Sequence, residues 1–206
     1  MSRLAPIIAI ALLSLVLVWL VGFWNPSAGP AGGHERLELT APPTGGDFDL
    51  TAADGPFRLS DLRGRVVLIY FGYTACPDIC PTNLAIISLA LRALKPSELE
   101  RVEVVFVSVD PERDTPQRIA DYVRFFHPRI TGVTGTASEV ADAAAQYGAA
   151  YQRTDQPDSA MGYMVDHSAY TYVVDEDGVL ADVLDHATPA EVIIATIRRH
   201  LERVDG

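Results

Sequence analysis

Cysteine is nearly absent: the 206 residues contain only Cys76 and Cys80. A chain with one such pair has no general disulfide framework for the two thiols to belong to. Positive charge is also scarce, with 16 Lys and Arg against 27 Asp and Glu and a formal net charge of −11. That balance argues against nucleic acid or anionic lipid as a partner. No internal repeat or low-complexity tract is present.

Charge is missing altogether from Leu4 to Trp24. At about 1.5 Å per residue, this stretch is long enough for a hydrocarbon core of about 30 Å. A cleaved signal peptide also starts with a basic residue and an apolar run. Three features favour an uncleaved anchor over residues 1–24: the length of the run, the aromatic exit formed by Trp19, Phe23 and Trp24, and the lack of a clean small-x-small site. Arg3, with the amino terminus, is expected to keep that end cytoplasmic, with the remainder across a bacterial inner membrane in the periplasm or an equivalent space. Residues 25–40, rich in Pro, Gly and Ala at their start, read as a flexible tether. Residues 41–206 then make one globular domain. Beyond Arg3 the chain holds 15 basic and 27 acidic residues, or −12, which suits a domain held near an anionic bilayer but not on it.

Within the domain, Asp54-Gly55-Pro56 separates two short strand candidates, Phe48–Thr51 and Phe57–Leu59, in a hairpin. Arg65–Phe71 is an unbroken apolar run rich in β-branched residues, as expected of a strand buried on both faces. Pro81–Leu94 carries Leu84, Ile87, Leu91 and Leu94 at helical spacing, and Val102–Val109 is a second buried strand. Thr115-Pro116 starts a helix running to about Phe126, and Ser138–Tyr147 is another, ended by Gly148. Tyr170–Val174 and Val179–Val183 flank a turn, and Thr188-Pro189 opens a last helix to about Arg203. Strands alternating with helices give an α/β fold with a sheet of mixed sense. The cysteines then fall at the C-terminal end of a central strand, where an open sheet presents its site.

Cys76 and Cys80 each precede a proline, which pushes both away from helical geometry. Cys80 is expected as N-cap and Pro81 as first helical residue, so unsatisfied amides there favour thiolate. A disulfide staple would close too short a loop to stabilise much. Soft Cu(I) accepts thiolate and imidazole at low coordination number. Zinc asks for four protein ligands, and there is no second cysteine pair. A third donor is wanted, and His167, just before the Tyr170 strand, stands only modestly above His34, His127, His186 and His200, which read as ordinary surface histidines.

Three stretches carry more than spacing does. Phe71-Gly72-Tyr73-Thr74-Ala75-Cys76-Pro77-Asp78-Ile79-Cys80-Pro81, Ser108-Val109-Asp110-Pro111-Glu112-Arg113-Asp114-Thr115-Pro116 and Val165-Asp166-His167-Ser168 resemble the signature stretches of the Sco/SenC family. The resemblance extends from about Leu50 to the C-terminus. It implies a thioredoxin-like fold and a membrane-tethered copper chaperone of cytochrome c oxidase assembly. Cys76, Cys80 and His167 would be the copper ligands, for Cu(I) or Cu(II), and the two cysteines a redox-active pair able to form a disulfide. The acceptor would be the binuclear CuA site of oxidase subunit II, with a periplasmic copper donor and a thioredoxin-like reductase as further partners. A thiol–disulfide oxidoreductase acting on cysteines of that subunit, or of another exported protein, is the competing function.

Neighbouring residues suggest lesser roles. Asp166 is a candidate to orient His167, although adjacent side chains of a strand point to opposite faces. Asp78 would steer cations, and Phe71 and Tyr73 would shield the site from water. Met161 and Met164 are thioether donors in type, but methionine more often fills packing gaps. Asp110–Pro116 reads as strand end, turn and helix cap.

Overall fold

The computed structural model describes residues 11–19, 38–157, 159 and 161–202, and the chain divides between His34 and Glu35. Residues 11–19 are helical. Among the described residues no helix is long and apolar enough to cross a membrane, so the expected transmembrane helix is not among the elements observed. The rest of the expected anchor, and the tether as far as Leu37, lie outside the described residues, as does His34.

The second unit carries nine strands among its described residues: β1 (Asp49–Ala52), β2 (Gly55–Arg58), β3 (Val66–Gly72), β4 (Val102–Ser108), β5 (Ile130–Thr134), β6 (Tyr151–Gln156), β7 (Gly162–His167), β8 (Thr171–Val174) and β9 (Leu180–Leu184). Its helices are α1 (Ile79–Ala93), α2 (Pro96–Leu99), α3 (Pro116–Arg124), α4 (Ala137–Gln146) and α5 (Ala190–Glu202). Seven strands form one mixed sheet in the order β2-β1-β5-β4-β3-β8-β9, while β6 and β7 pair only with each other.

The centre of the sheet is the parallel trio β3, β4 and β5. Every residue of β3 is buried, as its run of branched and aromatic side chains requires. Parallel strands place their C-terminal ends on one edge, so the loops after Gly72 and Ser108 emerge side by side. β8 runs antiparallel to β3, with Thr171 opposite Tyr70. The residues just before Thr171 therefore lie at the same edge as the residues just after Tyr70. This pairing brings position 167 to the cysteine loop across some ninety residues of chain.

The expected hairpin, buried strands and long helices are found, each within a residue or two. Thr115 caps α3 as anticipated, accepting from the Arg118 amide at 3.2 Å. Three strands and one helix escape the apolar pattern. β5 is broken by Gly132, where a Cβ would stand 2.2 Å from Ile119 Cγ2 of α3, so the helix packs directly on bare backbone. β6 is Tyr-Gln-Arg-Thr-Asp-Gln, with its four middle residues exposed, and offers no hydrophobic run to read. Its partner β7 holds His167 as its last residue, so the histidine ends one strand as well as standing just before the next. Helix α2 is a single turn.

A cysteine and histidine centre at the sheet edge

β3 ends at Gly72, and the chain turns through Tyr73–Asp78 into α1. The helix begins two residues earlier than its prolines suggest. Asp78, not Cys80, occupies the N-cap, and its side chain makes no capping hydrogen bond. Cys80 is then the second helical residue and Pro81 the third. Proline is tolerated there because the first amides of a helix have no intrahelical acceptor in any case. The first i to i−4 bond runs from the Thr82 amide to the Asp78 carbonyl, at 3.2 Å. The orphan amide of Cys80 points instead at Cys76, donating to its Sγ at 3.4 Å. One cysteine sulfur thus serves as the acceptor that a side-chain cap would otherwise supply.

Cys80 Sγ lies 3.2 Å from His167 Nε2. The other ring nitrogen, Nδ1, stands 3.0 Å from the Ser168 carbonyl, which only accepts. Nδ1 therefore carries the ring proton, and the Nε2 lone pair faces the thiols. The two sulfurs and a ring nitrogen all lie within 4.8 Å of one another. Cys80 and His167 are fully buried, and Cys76 is 5% exposed. Two tyrosine rings pack nearly perpendicular to the imidazole and fix its plane: Tyr73 at 5.9 Å between centroids and Tyr70 at 6.2 Å. Tyr73 shields the site as expected, whereas Phe71 packs into the core against Tyr147 and Tyr172.

The two thiols differ sharply in acidity. Cys76 is lowered to about 4, first by its hydrogen bond with the Cys80 side chain and further by the amides of Asp78 and Cys80, against the opposing cost of burial. Burial pushes Cys80 well above an ordinary thiol. The pair is best described as one thiolate and one retained proton. That proton sits on Cys80, between the Cys76 sulfur and the Nε2 lone pair. No disulfide joins the two cysteines.

The segment after β4 holds this loop in place. Asp114, 1% exposed, accepts from the Thr74 amide at 2.8 Å, from the Thr74 hydroxyl, and from the Ser108 hydroxyl at 2.6 Å. The Asp110–Pro116 stretch is thus a turn and cap whose carboxylate clamps the cysteine loop two residues before Cys76. Gly72 supplies a second constraint, since a Cβ there would lie 2.7 Å from Cys80 Sγ. Both contacts went unrecognised in the sequence. Their signals were a glycine closing an otherwise apolar strand, and a cluster of polar residues at the end of another.

Asp166 does not orient the histidine: it faces the other side of β7 and accepts from Thr154 Oγ1 at 2.7 Å, while the Ser168 carbonyl holds Nδ1. Asp78 is exposed beside Cys76. Met161 is 37% exposed before β7 and Met164 is buried within it. His127 and His200, expected at the surface, are instead buried, at 7% and 5% exposed. His127 Nδ1 accepts from the Arg129 amide at 3.1 Å, and His200 Nε2 lies 2.6 Å from Asp182. Both serve the local structure, and His186 is half-buried.

The family model described as SCO1/SenC matches residues 37–202. The chain belongs to the SCO1/SenC family. Among relatives, the mitochondrial protein SCO2 homolog of Mus musculus is 42% identical over 158 residues, 76% of this chain and 62% of that protein. The chain thus spans about three fifths of such relatives, 59% of the human protein's length. Among solved structures, Bradyrhizobium japonicum ScoI with copper bound is 36% identical, covering 76% of this chain and 99% of that one at a TM-score of 0.69. Yeast Sco1 with copper bound is 34% identical, covering 78% and 90% at a TM-score of 0.69. The mixed sheet with its flanking helices is the thioredoxin-like fold of these Sco proteins. Cys76, Cys80 and His167 all fall within the residues that the family model matches.

Proposed function

We propose that this chain is a copper chaperone that holds the ion between Cys76, Cys80 and His167 and delivers it to the CuA site of cytochrome c oxidase subunit II. The observation that carries the reading is the cluster itself: two sulfurs and a ring nitrogen within 4.8 Å of one another, with the Nε2 lone pair turned inward. Two soft donors and an imidazole suit copper in either oxidation state. Two relatives of similar sequence are known with copper bound. Copper here is cargo, so the site has to release it as well as hold it. Cys76 is the one donor with any exposure, and a thiolate of the acceptor would replace it first. The charge-free segment from Leu4 would tether the domain on the periplasmic face of the inner membrane. Confinement to the acceptor's membrane raises the effective concentration for transfer.

The thiol asymmetry favours one companion activity. A depressed thiolate beside a thiol that keeps its proton is an arrangement suited to disulfide exchange. Cys76 would attack an acceptor disulfide and Cys80 would resolve the mixed disulfide, leaving the acceptor reduced and Cys76–Cys80 oxidised. A thioredoxin-like reductase would then restore the dithiol.

The test is anaerobic titration of the full chain with Cu(I) and Cu(II), followed by competition with apo-subunit II. One copper per chain and transfer to the subunit are expected. Failure to bind copper, or retention of it against the subunit, would leave the reductase as the better account.

A further inference from the structure

His167 is carried by a hairpin that shares no strand pairing with the main sheet. The pairing of β8 with β3 brings the end of that hairpin to the cysteine loop, and side chains hold the hairpin itself against the thiols. On β7, Tyr163, Val165 and His167 alternate onto one face, and one residue from the turn after β4 grips that face. Arg113 Nη1 donates to the Tyr163 carbonyl at 3.0 Å. Its guanidinium carbon lies 3.6 Å from the centre of the Tyr163 ring and 5.5 Å from that of Tyr73. Tyr73 in turn packs nearly perpendicular to the His167 ring, 5.9 Å between centroids. Arg153 stacks on the same Tyr163 ring at 3.8 Å, which requires the opposite face. Asp110, 4% exposed, closes the arrangement by accepting from Arg113 Nε and from the Tyr163 hydroxyl, the latter at 2.7 Å.

We infer that Arg113 is a positioning residue, clasping the histidine hairpin to the cysteine loop and so fixing the distance from the imidazole to the sulfurs. It touches none of the three donors and acts through Tyr73 and Tyr163. The planar guanidinium is needed because it stacks on a ring and donates in its own plane at once, which an ammonium cannot do. The inference rests on the three-donor copper site proposed above.

The experiment measures Cu(I) affinity by chelator competition on the full chain, for the parent, Arg113→Gln, His167→Ala and the double variant. Arg113→Gln is expected to weaken binding about tenfold, as loss of an orienting partner does at other metal sites. In the His167→Ala background the same change is expected to cost nothing further. The dithiol–disulfide equilibrium with glutathione should stay within about twofold of the parent, since exchange needs only the two sulfurs. Unchanged affinity in Arg113→Gln overturns the inference, as does an equal further loss in the His167→Ala background or a shifted thiol equilibrium. Should Arg113→Gln not fold, Tyr163→Leu carries the same four-way comparison with the same criteria. If His167→Ala alone binds copper as tightly as the parent, the three-donor reading itself fails, an outcome distinct from the others.

Discussion

Gly72 has space for a hydrogen atom and little else. A methyl group there would sit 2.7 Å from Cys80 Sγ, 3.0 Å from Phe106 Cε2 and 3.2 Å from Tyr70 Cε1. Neither ring can retreat within a packed core, so the sulfur must move. Gly72→Ala is expected to cost about 1–3 kcal/mol in a urea melt and to weaken copper binding along with it. A variant with parental stability and affinity would show that the sulfur has freedom the packing denies it. At the same scale, the acidity of Cys76 gives a pH signature. With its folded value near 4, the ultraviolet thiolate absorbance of the metal-free chain should persist from pH 8 down to pH 5 and vanish in Cys76→Ser. An ordinary thiol would lose it below about pH 8.5. The linked stability is complete above the ordinary thiol value and fades as pH falls toward 4, because acid protonates the unfolded thiol first. Cys80, shifted upward by burial, acts in the opposite sense. Its contribution is present below the ordinary thiol value and is lost as pH rises beyond it.

At the scale of elements, the site joins three pieces: the loop from β3 into α1, the turn after β4, and the β6–β7 hairpin. The first two were legible because apolar runs and proline caps announce strand ends and helix starts. The hairpin was not. β6 is polar along most of its length, so nothing in hydrophobic periodicity marks it, and β7 became visible only through the fold. The placement of Cys80 failed for a related reason. Proline at the first and at the third position of a helix look alike in sequence, and the amide of Cys80 meeting the Cys76 sulfur is what distinguishes them here. Between the first two pieces the decisive contact is Asp114. Asp114→Ala would leave the Thr74 amide and the hydroxyls of Thr74 and Ser108 without this acceptor. A loss of about 3 kcal/mol is expected, with hydrogen-exchange protection falling first at Thr74. Protection retained there would mean that the loop is held by something other than this carboxylate.

Across the whole molecule, topology does what no local pattern foretells. His167 was one histidine of five, set apart in the sequence by family resemblance more than by its neighbours. The antiparallel return of β8 beside β3 explains its proximity in physical terms: Tyr70 and Thr171 are paired, and both site loops leave from that end. The same edge receives the turn after β4, which is why Asp110, Arg113 and Asp114 surround the cluster of Cys76, Cys80 and His167. Net negative charge keeps such a domain off an anionic bilayer, so a tether would be needed to keep it near an acceptor there. The measurement that bears most directly on this account is copper-edge X-ray absorption of the loaded chain, parent beside His167→Ala. Two sulfur neighbours and one nitrogen are predicted for the parent, with the imidazole signal lost in the variant and the affinity at least about tenfold lower, or 1.4 kcal/mol. A parent spectrum with fewer than two sulfurs, or an imidazole signal that survives the substitution, would contradict it.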